Sequence, residues 1–232
     1  MTEVRRKFHE ELEKMEWQLQ RMGELAATAV HESVETIVDH DDEKAKRVIA
    51  GDDEIDRLYL DIDGGTLSLL ALQAPVATDL RLVSVLIHSC LHLERIGDQA
   101  VNIAKIYEVT QSLPGSETVV RNIAEMGDIV VPMVRTAMEA FARRDLGLCL
   151  KLPEMDDPVD RLNRNMHLEV AKLADDARAL DWGMHMNLVS RALERVGDNA
   201  VDIGEQVGFL LTGEFREFTD ASHPGEVASD AE

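Results

Sequence analysis

One segment of this chain occurs twice, 100 positions apart. Residues 93–103 read Leu-Glu-Arg-Ile-Gly-Asp-Gln-Ala-Val-Asn-Ile and residues 193–203 read Leu-Glu-Arg-Val-Gly-Asp-Asn-Ala-Val-Asp-Ile, so that eight of the eleven positions are identical. Residues 52–58 and 156–162 also match, at an offset of 104. Repetition of this kind predicts two copies of one structural unit, and any fold of the chain must contain that unit twice.

Helical periodicity runs through both copies. Apolar residues recur at spacings of three and four, proline is sparse, and no run alternates strictly between apolar and polar residues, which is typical of helices. The sequence predicts six helices, three in each unit. Their approximate bounds are Val4 to Val38, Asp41 to Leu72, Asp79 as N-cap to Gln111, a fourth helix that ends at Arg144, Leu146 to Ala174, and Trp182 to Leu211.

The predicted fold class is therefore all-α, with two tandem, sequence-related, antiparallel three-helix bundles. The Pro-Gly step at 114–115 is the clearest boundary, so the units are placed at residues 1–112 and 113–212. Residues 213–232 are acidic and contain Gly, Ser and Pro, and we expect them to form a disordered tail.

The chain is strongly acidic, with a formal net charge of −21 over 232 residues. Nucleic-acid phosphates and anionic membranes bind basic surfaces, so the expected partners are cations and basic protein surfaces instead. No apolar run reaches the roughly 18 residues that span a bilayer, and the charged first residues lack the apolar core of a signal peptide. Cys90 and Cys149 stand alone in apolar stretches, which is typical of buried thiols. We expect a cytoplasmic protein without membrane insertion.

Four pairs of carboxylates occupy matched positions in the two copies. The members of each pair are four residues apart: Asp52 and Asp56, Glu94 and Asp98, Asp156 and Asp160, Glu194 and Asp198. This spacing puts both acids of a pair on one helix face, one turn apart. They lie at the edge of the apolar arc, where partial burial of a charge is costly unless something compensates. Asp202 extends one set by a turn, and its first-copy equivalent, Asn102, also carries an oxygen.

Two interpretations fit these acids. In the first they are solvated rim residues, paired with Arg57, Arg95, Arg161 and Arg195. In the second they coordinate cations between the second and third helices of each unit, and oxygen ligands without Cys or paired His favour magnesium, manganese or iron over zinc or copper. Gly97 and Gly197 cost about 1 kcal/mol each relative to Ala inside a helix, so they favour a close helix contact or a bulky site beside the acids.

No catalytic motif accompanies the acids. The sequence contains no glycine-rich phosphate loop, nucleophile elbow or dinucleotide fingerprint, and nowhere does Glu precede His by three residues as in di-iron carboxylate bundles. His88 and His92 form an i,i+4 pair, but the second copy has Leu188 and Ala192 there, so we interpret the pair as partly buried polar residues outside the duplicated set. We therefore expect a protein that is not an enzyme.

The chain resembles the PhoU family, the phosphate-specific transport system accessory proteins. The likeness rests on Glu-Arg-Ile-Gly-Asp at 94–98 and Glu-Arg-Val-Gly-Asp at 194–198, with the segments 46–52 and 75–83, and it extends over residues 5–215. It implies an all-helical cytoplasmic protein, commonly a homodimer, that represses the phosphate-starvation response. Such a protein contacts the ATPase of the phosphate ABC transporter and a sensor histidine kinase.

Family members bind metal through Glu/Asp-x-x-x-Asp motifs, in some cases as multinuclear iron clusters. By residue match the implied ligands are Asp52, Asp56, Glu94, Asp98, Asp156, Asp160, Glu194 and Asp198. Asn102 and Asp202 are further candidates because of their place one turn along the helix. The expected metals are iron, manganese or magnesium, as divalent or trivalent ions. The second unit departs from the family pattern at residues 179–183, and Pro158 lies within one motif, where a mid-helix proline would distort the pair. A carboxylate-bridged metal store or metalloenzyme and a metal-free helical scaffold are the alternatives.

Overall fold

The computed structural model describes residues 3–73 and 75–218, and every regular element in these ranges is helical. Within them the helices are α1 (Glu3–Asp39), α2 (Asp42–Gln73), α3 (Thr78–Thr110), α4 (Glu117–Arg143), α5 (Leu146–Cys149), α6 (Leu152–Ala171) and α7 (Ala177–Thr212). α1, α2 and α3 pack on one another as the first unit, and α4, α6 and α7 form the second, with α5 as a single turn before α6. The prediction of two three-helix units is confirmed.

The two units share one apolar core. α3 packs against α7 and α1 against α4, so these four helices lie between the outer helices α2 and α6. The α1–α4 crossing is made twice by equivalent residues: a Cβ atom on Gly23 would lie 2.5 Å from Met138 Cγ, and one on Gly127 would lie 2.9 Å from Val34 Cγ1. Gly23 and Gly127 are 104 positions apart, and so are their partners Val34 and Met138. Equivalent residues of the two copies therefore form the contact between the units.

The predicted helix from Leu146 to Ala174 is divided. The carboxylate of Asp145 accepts a hydrogen bond from the N–H of Leu148 and caps the short α5, and the chain enters α6 only at Leu152. Gly147 in α5 and Pro153 in the first turn of α6 flank this break, although the apolar spacing continues across it. α6 runs through Pro158, whose missing N–H costs one backbone hydrogen bond without ending the helix.

Two helix starts also differ from the predicted ones. α7 begins at Ala177, five residues before Trp182, because the side chain of Asp176 accepts two backbone hydrogen bonds from the first turn and acts as the N-cap. Asp79, the predicted N-cap of the third helix, lies instead inside the first turn of α3. There its charge is favourable next to the positive end of the helix dipole.

The segment after α7 folds back on that helix. Gly213 ends α7 with φ of 80°, a left-handed conformation that favours glycine. The N–H of Phe218 then donates to Glu205 Oε1 at 2.7 Å, and its ring lies 3.4 Å from where a Cβ atom on Gly208 would be. Residues 213–218 of the predicted tail therefore have a defined path over α7, and residues 219–232 lie outside the described residues.

Candidate functional site

The eight predicted carboxylates fall into two groups of four, each on an outer helix and the central helix beside it. The first carboxylate set consists of Asp52 and Asp56 on α2 with Glu94 and Asp98 on α3. The second carboxylate set consists of Asp156 and Asp160 on α6 with Glu194 and Asp198 on α7. α2 packs on α3 and α6 on α7. Each set therefore spans one helix–helix contact, as the repeat predicted.

In the first carboxylate set the acids repel one another across the two helices. Burial, followed by repulsion from Asp56 and Asp98, raises the pKa of Asp52 to about 6. Burial is also the main cause of the raised pKa of Glu94, again followed by Asp98 and Asp56. Asp56 and Asp98 are exposed, whereas Asp52 and Glu94 are half-buried. The set thus has an inner acid and an outer acid on each helix.

The second carboxylate set is buried more deeply. Burial, followed by repulsion from Asp198 and Asp160, raises the pKa of Asp156 to about 7. Glu194 is only 7% exposed, and burial is the largest cause of its raised pKa. Among the described residues, Asp156 Oδ1 and Glu194 Oε2 are buried without a hydrogen-bond partner. A buried acceptor without a hydrogen-bond partner destabilises the folded state by about 1–3 kcal/mol. Without a bound cation, the second set is therefore more destabilising than the first.

The mid-helix glycines allow the carboxylates to approach the central helices. A Cβ atom on Gly97 would lie 3.1 Å from Asp52 Oδ1 and 3.0 Å from Ile55 Cδ1. A Cβ atom on Gly197 would overlap Asp156 Oδ1 outright. Each glycine therefore makes room for an acid of the outer helix, and the expected close helix contact is confirmed.

The arginines of the rim interpretation do not pair with these acids. Arg57, Arg95, Arg161 and Arg195 form no ion pair within 4.0 Å in the described part of the chain. Other arginines reach the second set: Arg191 contacts Glu194, and Arg164 Nη1 lies 3.8 Å from Asp160 Oδ2. The first set has no ion-pair partner within the described ranges, so its charge is not compensated by protein cations in contact.

A hard cation fits the chemistry of both sets. Their donors are carboxylate oxygens, and an added cation would offset the mutual repulsion and satisfy the two unpartnered oxygens of the second set. The side chains are not gathered into a closed shell: over residues 3–73 and 75–218, no three His, Cys, Asp or Glu side chains lie close enough together to hold a metal ion. The assignment of these eight residues as ligands stays a prediction.

His92 and the additional oxygen positions lie at the contact between α3 and α7, whereas His88 is exposed, so the prediction of a partly buried pair is wrong for His88. His88 Nδ1 lies 2.8 Å from the carbonyl oxygen of Ser84 in its own helix, so it does not converge with His92. His92 Nδ1 lies 2.8 Å from Asn199 Oδ1 and 3.4 Å from Asp202 Oδ2, both on α7. Asp202, one turn beyond Asp198 of the second set, thus takes part in an inter-unit contact that no sequence motif marks.

One buried acid belongs to neither set. Glu205 on α7 is 6% exposed and accepts the hydrogen bond from Phe218. Burial is the largest influence on its pKa, which is raised to about 7. The only sequence signal at this position is a charge reversal within the repeat, since the equivalent residue of the first copy is Lys105.

The repeat seen in the fold corresponds to a known domain. The PhoU domain matches residues 19–107 and again residues 123–207, once in each unit. The chain belongs to the PhoU family. The resemblance expected from the Glu-Arg-Ile-Gly-Asp and Glu-Arg-Val-Gly-Asp motifs is confirmed.

Curated relatives of this PhoU-family chain match it over nearly its whole length. One from Pseudomonas aeruginosa is 35% identical over 227 residues, which is 96% of this chain and 90% of the relative. Another from Aquifex aeolicus is 33% identical over 221 residues, covering 95% of this chain and 100% of the relative. Both bear the name phosphate-specific transport system accessory protein PhoU homolog.

Solved structures of the family share the fold. The crystal structure of PhoU from Pseudomonas aeruginosa superposes with a TM-score of 0.85 at 33% identity and covers 89% of this chain and 100% of its own. The phosphate transport system regulatory protein PhoU from Streptococcus pneumoniae gives a TM-score of 0.81 at 26% identity, covering 90% and 99%. PhoU-family proteins are accessory proteins and not enzymes, which agrees with the expectation from the sequence. None of the described helices is long and apolar enough to cross a bilayer.

Proposed function

We propose that this chain is a negative regulator of phosphate uptake and of the phosphate-starvation response. It acts as a cytoplasmic, homodimeric adaptor between the ATPase of a phosphate-specific ABC transporter and a sensor histidine kinase. The observation that carries the proposal is the match over nearly the whole chain to relatives named as accessory proteins of the phosphate-specific transport system. The completeness of the duplicated motif in both units supports it as well.

Gene deletion tests the regulatory role. In the source organism grown with abundant phosphate, deletion should release the phosphate-responsive alkaline phosphatase from repression, and a plasmid copy of the full chain should restore it. Low phosphatase activity in the deletion strain under high phosphate would contradict the proposed function. Phosphate uptake measured in the same strains should rise on deletion, because the adaptor restrains the transporter.

We further propose that each carboxylate set holds metal: the first through Asp52, Asp56, Glu94 and Asp98, the second through Asp156, Asp160, Glu194 and Asp198. A bound iron, manganese or magnesium ion would supply positive charge between an outer and a central helix. The protein's part is to present oxygens from both helices, with Gly97 and Gly197 leaving room for the inner acids. The unpartnered oxygens of Asp156 and Glu194 support the proposal most directly.

Elemental analysis tests the metal proposal on protein purified without a chelating tag. Glu194→Gln with Asp198→Asn should abolish metal at the second set, and Glu94→Gln with Asp98→Asn should do so at the first. The double change Glu35→Gln, Asp39→Asn is a matched control, because it removes the same residue types at the same spacing outside both sets.

Three outcomes separate the alternatives. Loss of metal only in the set variants supports the proposal. Loading with many ions per chain, or oxygen consumption by the iron-loaded protein, would favour a metal store or a metalloenzyme. Equal metal content in all variants, with higher stability of the set variants as repulsion is relieved, would favour a metal-free scaffold.

A further inference from the structure

A groove between α3 and α7 is lined by basic and apolar side chains. Its walls include Asn102, Lys105 and Val109 on α3 and Leu188, Arg191 and Arg195 on α7, and its volume is about 470 Å³. The two helices run in opposite directions here, because Val109 near the end of α3 lies in the same groove as His185 near the start of α7. We call this feature the α3–α7 groove.

The charge of the α3–α7 groove is opposite to that of the whole protein. Every charged side chain in its lining is a cation, Lys105, Arg191 or Arg195, although the chain carries a formal net charge of −21. Lys105 and Arg195 form no ion pair within 4.0 Å in the described part of the chain, and Arg191 contacts Glu194 beside the groove. Two of the three cations are therefore not held in an ion pair, and the effect of Lys105 on Asp52 and of Arg195 on Glu194 acts over longer distances.

The apolar side chains of the groove are also uncovered. Val109 is 65% exposed and Leu188 is 57% exposed, and they stand among the cations. From Gln99 to Val109 the groove follows ten residues of α3, which corresponds to about 15 Å, or three helical turns. A small anion would use only the charges, whereas a helix of similar length would cover the apolar residues as well.

The other half of the α3–α7 contact provides an internal comparison. At the equivalent positions, 100 residues away, Asp202 and Glu205 replace Asn102 and Lys105, and His92 replaces an alanine. There His92 reaches across to α7, and Glu205 is covered by the segment that follows α7. The chain thus fills one half of the contact with its own side chains and leaves the other half open.

We propose that the α3–α7 groove is the docking surface for an acidic, amphipathic helical segment of a partner protein. The segment would be about three turns long, with apolar residues on Leu188 and Val109 and acidic residues on Lys105 and Arg195. In a two-fold pairing of this chain through the same groove, the cations of the two grooves would face each other, so charge complementarity favours the acidic segment over that pairing. The proposal rests on the proposed adaptor function and names the chemistry of one partner.

Site-specific photocrosslinking in living cells tests the groove. A benzophenone side chain introduced at Leu188 should trap an adduct, and mass spectrometry should map it to a segment rich in Asp and Glu with apolar residues at helical spacing. The same side chain at Leu168, which is 54% exposed on α6, is the control and should not give this adduct. No adduct at Leu188, a basic or uncharged segment, or a second copy of this chain would overturn the proposal.

Charge reversal provides the second arm of the experiment. Lys105→Glu with Arg195→Glu should lower the yield of the Leu188 adduct by on the order of tenfold. Lys14→Glu with Lys151→Glu changes the net charge equally at exposed sites elsewhere and should leave the yield unchanged. Circular dichroism checks that all variants fold. We expect native spectra, because the substituted residues are exposed.

Phosphatase repression distinguishes failure of this proposal from failure of the adaptor function. If deletion leaves the phosphatase repressed, the adaptor function fails whatever the crosslinks show. If deletion derepresses the phosphatase while Lys105→Glu with Arg195→Glu keeps repression and adduct yield at wild-type levels, the adaptor function stands and the groove proposal fails.

Discussion

Glu205 should make the stability of this protein fall as the pH rises. The side chain is 6% exposed, and burial outweighs the hydrogen bond from Phe218, so that its pKa in the folded protein is about 7. The ordinary value is 4.5. A group that binds its proton more tightly in the folded state than in the unfolded state stabilises the fold only while it is protonated.

The magnitude follows from the two pKa values. Below pH 4.5 Glu205 is neutral in both states, and between pH 4.5 and 7 the unfolded chain loses the proton first. Stability therefore declines over this range and levels off above it. The full decline is on the order of 3 kcal/mol, since each tenfold change in proton affinity corresponds to about 1.4 kcal/mol.

Glu205→Gln isolates this contribution. The amide oxygen can still accept the hydrogen bond from Phe218 but cannot ionise, so the variant should be more stable than the parent by about 2–3 kcal/mol at pH 8 and nearly equal at pH 4.5. Urea unfolding at both pH values, with a chelator present to remove metal, measures the difference. Glu13→Gln, on the exposed face of α1, controls for the change in net charge.

An equal stability difference between Glu205→Gln and the parent at both pH values would show that Glu205 does not cause the pH dependence. A parent more stable than Glu205→Gln at pH 8 would show that the ionised carboxylate stabilises the fold, contrary to a raised pKa. A second variant checks the cause: Phe218→Ala removes the cover over the carboxylate and should make the pH dependence shallower, because better hydration lowers the pKa of Glu205.

Two further predictions concern the glycines and the thiols. In urea unfolding, Gly197→Ala should be less stable than Gly97→Ala by about 1 kcal/mol. The gain in helix propensity is the same in both variants, but the new methyl group at position 197 would overlap Asp156 and force its carboxylate to move. Equal effects of the two substitutions would contradict this prediction. Burial raises the pKa of Cys90 to about 12 and of Cys149 to about 11. At pH 8 both thiols should therefore react with iodoacetamide on the order of a hundredfold more slowly in the folded protein than in guanidinium. Comparable rates in the two conditions would show that the thiols are accessible.

The helices and the positions of the carboxylates could be predicted from sequence because both depend on local periodicity. Apolar spacing fixes which face of a helix is buried, and the repeat fixes which helices are equivalent. The division between α5 and α6 was not predicted, because the apolar spacing continues across it, although Pro153 in the first turn of α6 is a signal for a helix start. The start of α7 could be predicted from Asp176, because Asp is a strong N-cap residue, whereas apolar spacing alone favours a start at Trp182.

Charge distribution is the property that sequence reasoning missed. The net charge of −21 favours basic partners. Lys105, Arg191 and Arg195 are far apart or scattered among acids in the sequence, and only the opposite directions of α3 and α7 bring them into one groove. A total charge cannot reveal a local reversal of this kind, because the reversal depends on which faces of two distant helices meet.

The two copies of the repeat keep equivalent residues where these residues build the fold. They differ along the α3–α7 groove, which we propose as the partner surface. Gly23 and Gly127 make the same crossing twice, and each unit keeps its carboxylate set. Along the α3–α7 contact, in contrast, Lys105 and Glu205 have opposite charges at equivalent positions, and one half is filled while the other is open. A symmetric contact would offer two identical grooves, and two copies of a partner segment could then bind. Because the other half of the contact is filled by His92 and by the segment after α7, we expect the α3–α7 groove to bind a single acidic segment per chain.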